Sequence, residues 1–253
     1  MTGSRPSVPV AELRILGEYR GLLFIDKPAG LQTEPDARTK DTLVTRIAAQ
    51  LALPAERVHA LSRLDTGVSG VVTLGLTGEA CRQVQDWRAQ GRFARRYLAL
   101  ASGTAQATKG AWSEPIGRAA GSLRSVSGRN AEAAHTDYAL VASSETRERA
   151  TPSQLHVLAL APRTGRTHQL RVHSAAHGLP LLGDRAYGGA SRWVSASGAV
   201  HALDRVALHA AWVELPFAEP VHVESPTPSL LLEIWRDFSG TDASFQAARD
   251  AVL

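Results

Sequence analysis

Cysteine is almost absent from this sequence: Cys81 stands alone among 253 residues. That excludes an internal disulfide framework and fits a reducing compartment. No apolar run approaches the roughly 20 residues that a membrane-crossing helix needs. Met1 to Val10 lacks the apolar core of an export signal, so the cytoplasm is the expected location. Metal-ligand spacing is missing too. There is no HExxH or CxxC, and His168 and His173 stand five apart instead of the four of a zinc-binding helix. No metal or other cofactor is expected. A serine-hydrolase elbow is also lacking: Gly67 stands two residues before Ser69, but Val71 occupies the place of the second glycine. No solenoid-type repeat occurs.

Lysine is nearly as rare, with Lys27, Lys40 and Lys109 the only three, so the basic residues are almost all arginine. The formal net charge of +4 and pI of about 9.6 are compatible with a polyanionic partner. Arginine suits phosphate, because its planar fork donates two parallel hydrogen bonds; codon usage in a G+C-rich genome would raise its share equally well. The hydrophobic share of 44% and charged share of 21% are those of a globular chain with a real core. No heptads or obvious apolar patch call for a second copy, and a monomer is expected.

Residues 1–18 read as a short flexible lead-in, and 19–253 as one domain. A strand at Gly21 to Asp26 ends in the turn Lys27-Pro28-Ala29-Gly30. Asp41 is placed to cap a helix reaching Leu51, and Thr77 or Gly78 opens a second one running to Gln90. The stretch Gly70 to Leu74 reads as a buried strand, followed by strands at Ala94 to Ala101, His135 to Ser143 and Gln154 to Ala161. Between the first two of these three, residues 103–133 read as a long mobile excursion, and 190–203 as another flexible segment. Helical spacing marks Arg166 to Gly178. Strands at Arg205 to Leu215 and Leu230 to Trp235 and a helix from Asp242 to Val252 close the chain. The elements argue for an α+β fold with a mixed, mostly antiparallel sheet.

Three segments concentrate chemistry. In Arg63-Leu64-Asp65-Thr66-Gly67-Val68-Ser69-Gly70, a carboxylate sits among glycines just before a buried strand, as a cleft residue or as a turn cap. The run Thr164-Gly165-Arg166-Thr167-His168-Gln169-Leu170-Arg171-Val172-His173 is basic, and His168 and Arg171 can share a helix face. It reads as phosphate binding or as a solvated basic face. The third run, Gly91-Arg92-Phe93-Ala94-Arg95-Arg96-Tyr97, interleaves arginines and rings, as nucleic-acid grooves do and as ordinary sheet packing also does.

In order and spacing these segments resemble the RluA-type pseudouridine synthases. The first is similar to that family's catalytic Arg-Leu-Asp motif and the second to its other long signature. Gly178 to Asp184 and Tyr187-Gly188 continue the latter. Lys27-Pro28-Ala29-Gly30 is similar to the early Lys-Pro-x-Gly turn, and Arg95-Arg96-Tyr97 to the strand that carries the family's tyrosine. Ala134 to Tyr138 and Leu208-His209-Ala210 follow in order, so the match spans about residues 20–236. Two departures stand out. Ser62 occupies the place of the family's histidine, with His59 out of register, and fewer than thirty residues precede Lys27, too few for the family's N-terminal RNA-binding module.

The resemblance implies peripheral helices and a central active-site cleft, and an enzyme that isomerises uridine to pseudouridine in structured RNA, ribosomal or transfer, after the nucleotide flips out of the stack. It makes Asp65 the catalytic carboxylate, Arg171 its ion-pair partner and Tyr97 the ring that stacks on the uracil. Asp65 would act as a nucleophile or as the base that forms a glycal. In a dry pocket beside a polyanion a charged carboxylate is disfavoured, which calls for such a cation. Arg63 is the candidate for filling the gap in the stack, and Arg92, Arg95, Arg96, Arg166 and His168 are candidates for holding RNA. The competing reading is a non-catalytic RNA-binding protein on the same fold, which would need neither Asp65 nor Tyr97.

Overall fold

The computed structural model describes residues 12–144, 152, 154–194, 198 and 200–253. Its main sheet has ten strands: β1 (Arg14–Tyr19), β2 (Leu22–Lys27), β3 (His59–Ala60), β4 (Ser69–Gly75), β5 (Ala94–Ser102), β6 (Lys109–Trp112), β10 (Thr136–Ser143), β11 (Leu155–Pro162), β14 (Leu208–Leu215) and β15 (Val221–Glu224). The strands numbered between these form two smaller pieces. They are a three-stranded sheet of β7 (Ile116–Arg118), β8 (Arg124–Ser125) and β9 (Arg129–Glu132), and a hairpin of β12 (Arg192–Val194) and β13 (Val200–Ala202). The main order is β1-β2-β4-β14-β5-β11-β10-β6, with β3 on β4 and β15 on β14. Among the described residues only β4 and β14 pair in parallel; the other pairings of this sheet are antiparallel. The α+β, mostly antiparallel expectation describes this architecture.

Both faces of the sheet are covered, so its central strands are apolar on both sides. Tyr97, Ala99 and Ala101 of β5 join Val72 and Leu74 of β4 in one core, which helix α1 (Leu43–Gln50) closes with Leu43 and Ile47. Leu98 and Leu100 point the other way, into a core closed by helices α4 (Ser229–Asp237) and α5 (Ala243–Asp250). A third cluster holds Ala80, Val84 and Trp87 of helix α2 (Gly78–Ala89).

Several expectations are corrected. Leu230 to Trp235 is helical, not extended. Pro228 precedes α4, and Leu231, Ile234 and Trp235 bury one helical stripe. Thr42, not Asp41, caps α1 through a reciprocal exchange with Thr45, while Asp41 pairs with Arg46. Residues 14–18 lie in β1, which pairs with β2 around a bulge at Leu16, so the lead-in is shorter than expected; residues 1–11 lie outside the described residues. The stretch 103–133 carries β6 to β9, and 190–203 carries the β12–β13 hairpin, although 195–197 and 199 are outside the described residues. Helix α3 (Gln169–Ala176) begins three residues later than the spacing suggested, after a turn holding Arg166 and His168.

Candidate active site

Asp65 sits in the loop before β4, and the chain around it is pinned from several sides. Thr33 Oγ1 donates to the Leu64 carbonyl at 2.9 Å and accepts from the Leu64 N–H at 3.2 Å. The Gly30 N–H donates to the Thr66 carbonyl at 2.7 Å, and the Val68 N–H closes a turn onto the Asp65 carbonyl at 3.0 Å. Ser62, where the family pattern has histidine, accepts the Thr73 N–H on its Oγ at 2.9 Å, so a short hydroxyl ties the loop to β4. The loop then enters the parallel pairing of Ser69 with His209 and Gly70 with Ala210. Gly70 has φ +113°, and a Cβ there would lie 2.1 Å from the Ala210 carbonyl oxygen. Only glycine lets the two strands approach this closely. Ser69 Oγ accepts from Arg205 at 2.8 Å and shares a hydrogen bond with His209 Nδ1 at 2.9 Å. Burial lowers the pKa of His209 to about 3, so it stays neutral.

Arg171, on the first turn of α3, meets this loop. Its Nη1 donates to Asp65 Oδ2 at 2.9 Å. The rest of the fork is held by Asp184, with Nε to Oδ2 at 2.7 Å and Nη2 to Oδ1 at 2.8 Å. The Arg171 side chain is 11% exposed and that of Asp184 1%, whereas Asp65 keeps 29%. One guanidinium therefore bridges a buried carboxylate and a carboxylate open to a cleft. Burial opposes its charge, but the hydrogen bonds to Asp184 and Asp65 hold its pKa above the usual arginine range. The Tyr187 ring lies 4.9 Å below the same guanidinium.

His168 adopts the left-handed conformation, φ 58°, directly before α3. Its Nδ1 shares a 2.7 Å hydrogen bond with the Tyr187 hydroxyl, and its Nε2 lies 3.9 Å from Asp65 Oδ2. Because the Tyr187 oxygen also accepts the Arg124 N–H at 3.0 Å, its own proton is free to go to Nδ1, which leaves the imidazole proton on Nε2, facing Asp65. Burial lowers the His168 pKa, so the ring is a neutral hydrogen-bonding group at pH 7. Tyr97 is 7% exposed. Burial raises the pKa of its hydroxyl, with Arg95 opposing and Asp65 adding to the change. Lys27 is fully buried beneath the loop and donates to the carbonyls of Leu31 at 2.6 Å, Pro28 at 3.0 Å and Thr66 at 3.4 Å. Burial first, then Arg205, lowers its pKa to about 8, against the pull of Asp65.

The structure brings Asp65, Arg171 and His168 into contact, with Tyr97 in the same core. A cavity of about 250 Å³ beside them is lined by Gly67, Arg171, Asp184 and Arg205, among others. Arg63 points outward, 69% exposed, with Glu34 3.4 Å away. Arg92 is exposed and Arg95 half-buried. Arg166 is paired with Glu132 and donates to the Ala133 carbonyl. Arg96 corrects the sequence reading. It is 6% exposed, faces the opposite side of the sheet from Tyr97, and lies 5.3 Å over the Trp212 ring, so it is not a surface phosphate contact. Asp184, Tyr187 and Lys27 join the site although no local pattern assigned them a role; only their places in the motifs marked them. Among the described residues, no group of three or more His, Cys, Asp or Glu is placed to hold a metal ion, and no helix is long and apolar enough to cross a membrane.

Comparison with known proteins gives this geometry a context. Residues 21–176 match the family model described as RNA pseudouridylate synthase. The chain is 34% identical over 233 residues to the uncharacterized RNA pseudouridine synthase YhcT of Bacillus subtilis, covering 90% of this chain and 72% of that one. It is 36% identical over 228 residues to the ribosomal large subunit pseudouridine synthase D of Nitrosomonas europaea; this covers 85% of the chain but only 62% of that relative's length. Over 183 residues it is 34% identical to the dual-specificity RNA pseudouridine synthase RluA of Escherichia coli, covering 69% of this chain and 77% of that one. The solved structure titled Human RNA Pseudouridylate Synthase Domain Containing 1 superposes with a TM-score of 0.68 at 25% identity, covering 94% of this chain and 95% of that one. An α+β sheet with an aspartate in the loop before a central strand is thus the frame of an RNA uridine isomerase. The chain belongs to the RluA-type RNA pseudouridine synthases.

Proposed function

We propose that this enzyme acts on uridine in a structured RNA, ribosomal or transfer, as a single cytoplasmic chain, with Asp65 as the group that activates the ribose. The carrying observation is the shared guanidinium: Arg171 holds Asp65 at 2.9 Å while Asp184 fixes Arg171 from behind. The reaction breaks the bond from ribose C1′ to uracil N1 and forms one from C1′ to C5; the C5 proton is lost and N1 gains one. Nucleophilic attack at C1′ and removal of the neighbouring sugar proton both begin from an ionised carboxylate, which a fixed cation stabilises without reorganising.

Tyr97 is the proposed platform for the uracil, since its ring lies in the core beside Asp65 and burial keeps its hydroxyl protonated. His168, with Nε2 3.9 Å from Asp65 Oδ2, stands beside the carboxylate as a neutral polar group that can hold the RNA. Arg63, exposed next to the loop, fills the gap left by the flipped nucleotide; that flip costs a few kcal/mol. Arg92, Arg95 and Arg166 offset this through phosphate contacts. All of these side chains come from one chain, so the chemistry needs no second copy.

The test is release of tritium from RNA labelled at uracil C5. Asp65→Asn is expected to abolish release while RNA affinity stays within a few-fold. Turnover by that variant would reject the assignment and favour a binding protein on this fold.

A further inference from the structure

A second concave site is lined by Arg88 and Arg95, the two arginines that act electrostatically on Tyr97. Its volume is about 290 Å³, and its walls include Arg88, Gly91, Phe93, Arg95, Gly165 and Arg166. Arg88 comes from the last turn of α2 and falls in none of the segments that the sequence made prominent. Its Nη1 donates to the Leu61 carbonyl at 2.6 Å, just upstream of the Asp65 loop. Arg95 is fixed from the opposite wall. Its Nη2 donates to the carbonyls of Pro162 and Thr164, both at 3.0 Å, and its guanidinium lies 5.4 Å over the Phe93 ring.

These anchors leave one nitrogen of each fork turned to the same point. A Cβ built on Gly165 would lie 3.2 Å from Arg88 Nη2 and 3.8 Å from Arg95 Nη1. Gly165 keeps that point empty. Two guanidinium groups so close repel each other, and neither has a carboxylate partner within ion-pair distance among the described residues. The neighbouring Arg163 and Arg166, by contrast, are matched by Asp137 and Glu132. Partial enclosure, and then the charge of Arg95, lowers the Arg88 pKa, with Tyr97 opposing. The pocket is a preformed excess of positive charge, held open by hydrogen bonds to backbone carbonyls, and Arg88 and Arg95 both act electrostatically on Tyr97, the ring proposed to carry the uracil.

We propose that this pocket is a phosphodiester site, in which Arg88 and Arg95 grip the RNA backbone phosphate next to the uridine held at Asp65. A diester phosphate offers two non-bridging oxygens, one for each free guanidinium nitrogen, and its single negative charge relieves the repulsion between the forks. Gripping the backbone here holds the flipped nucleotide against the pull of its former stack. The inference rests on RNA being the substrate, as proposed above, and adds Arg88 as a binding residue.

The experiment measures the salt dependence of binding to bulk ribosomal and transfer RNA in the Asp65→Asn background, where no turnover intervenes. Arg88→Ala is expected to lower the slope of log affinity against log salt by about 0.7 to 0.9, one phosphate contact, and to weaken binding roughly three- to tenfold near 0.1 M salt. Arg88→Lys should recover most of the slope. Arg82→Ala removes one exposed charge from the same helix and should leave the slope unchanged. Should Arg88→Ala fold poorly, Gly165→Val keeps both charges, fills the space between them and should lower the slope alike. An unchanged slope in Arg88→Ala or Gly165→Val, or an equal drop in Arg82→Ala, overturns the proposal. So does tight binding of inorganic phosphate that depends on Arg88, because it would assign the pocket to a free phosphomonoester. Tritium release by the parent enzyme, with Asp65 intact, reports separately on the proposed function.

Discussion

Asp184 holds Arg171 in a two-pronged grip, Nε to Oδ2 at 2.7 Å and Nη2 to Oδ1 at 2.8 Å, from a position only 1% exposed. The grip fixes the plane of the guanidinium, so its remaining nitrogen can point only toward Asp65. Asp184 is therefore placed to act on Asp65 through Arg171.

Asp184→Asn keeps the shape of this side chain and removes its charge. One accepting oxygen becomes a donor facing a donor, and Arg171 retains Asp65 as its sole anion. Breaking a buried pair in this way destabilises by about 3 kcal/mol. Urea unfolding should show that loss. Tritium release at saturating RNA should fall at least about tenfold while RNA affinity changes little; loss of affinity with normal turnover would deny Asp184 a positioning role.

Tyr187→Phe keeps the ring under Arg171 and removes the hydroxyl that links Arg124 to His168. Two hydrogen bonds are lost, each worth about 1 kcal/mol. The imidazole proton is then no longer directed to Nε2. The expected result is a severalfold drop in turnover, with nitrogen chemical shifts showing a mixture of His168 tautomers instead of one.

Lys27 makes stability depend on pH in the alkaline range. Its folded pKa of about 8 lies below the ordinary lysine value of 10.5, so between these values the unfolded chain binds more protons than the folded one. Stability contributed at this site therefore rises with pH from about 8 to about 10.5, and the penalty for burying the ammonium is fully present below 8. Urea unfolding at pH 7 and pH 9.5 should show the wild type gaining about 2 kcal/mol relative to Lys27→Met at the higher pH. A constant difference between the two proteins would contradict the lowered pKa.

Gly70→Ala tests the parallel seam. The added methyl would lie 2.1 Å from a carbonyl oxygen at a φ of +113°, so both the backbone and the pairing of β4 with β14 must give way. A loss of more than about 3 kcal/mol is expected. Circular dichroism and unfolding midpoints would show it, and a variant of normal stability would mean that the strands separate easily.

The sequence carried the architecture wherever its pattern was local. Alternation marked β5, β10 and β11, and the Arg-Leu-Asp run located the loop that holds Asp65. Local pattern was insufficient where tertiary context decides. Leu230 to Trp235 is a short apolar run that suits strand or helix equally, and burial of Leu231, Ile234 and Trp235 on one stripe settles it as α4. The small strands between 109 and 132 are two to four residues long, too short for periodicity to show. Arg96 and Arg95 look alike in sequence, but adjacent residues in a strand face opposite ways, and Arg96 lies under Trp212. Arg88 was missed because its significance arises only when residues 88, 95 and 165 meet in space.

The seam between β4 and β14 also bears on the order of folding. Ser69 and His209 are 140 residues apart in the chain, and ion-paired Asp65 and Arg171 are 106 apart. Synthesis proceeds from the N-terminus, so a growing polypeptide displays the aspartate long before its supporting neighbours have been translated. Pairings this far apart in sequence close large loops and form slowly, so the Asp65 loop gains its ion-pair partner and its neighbouring strand only after β14 has been made.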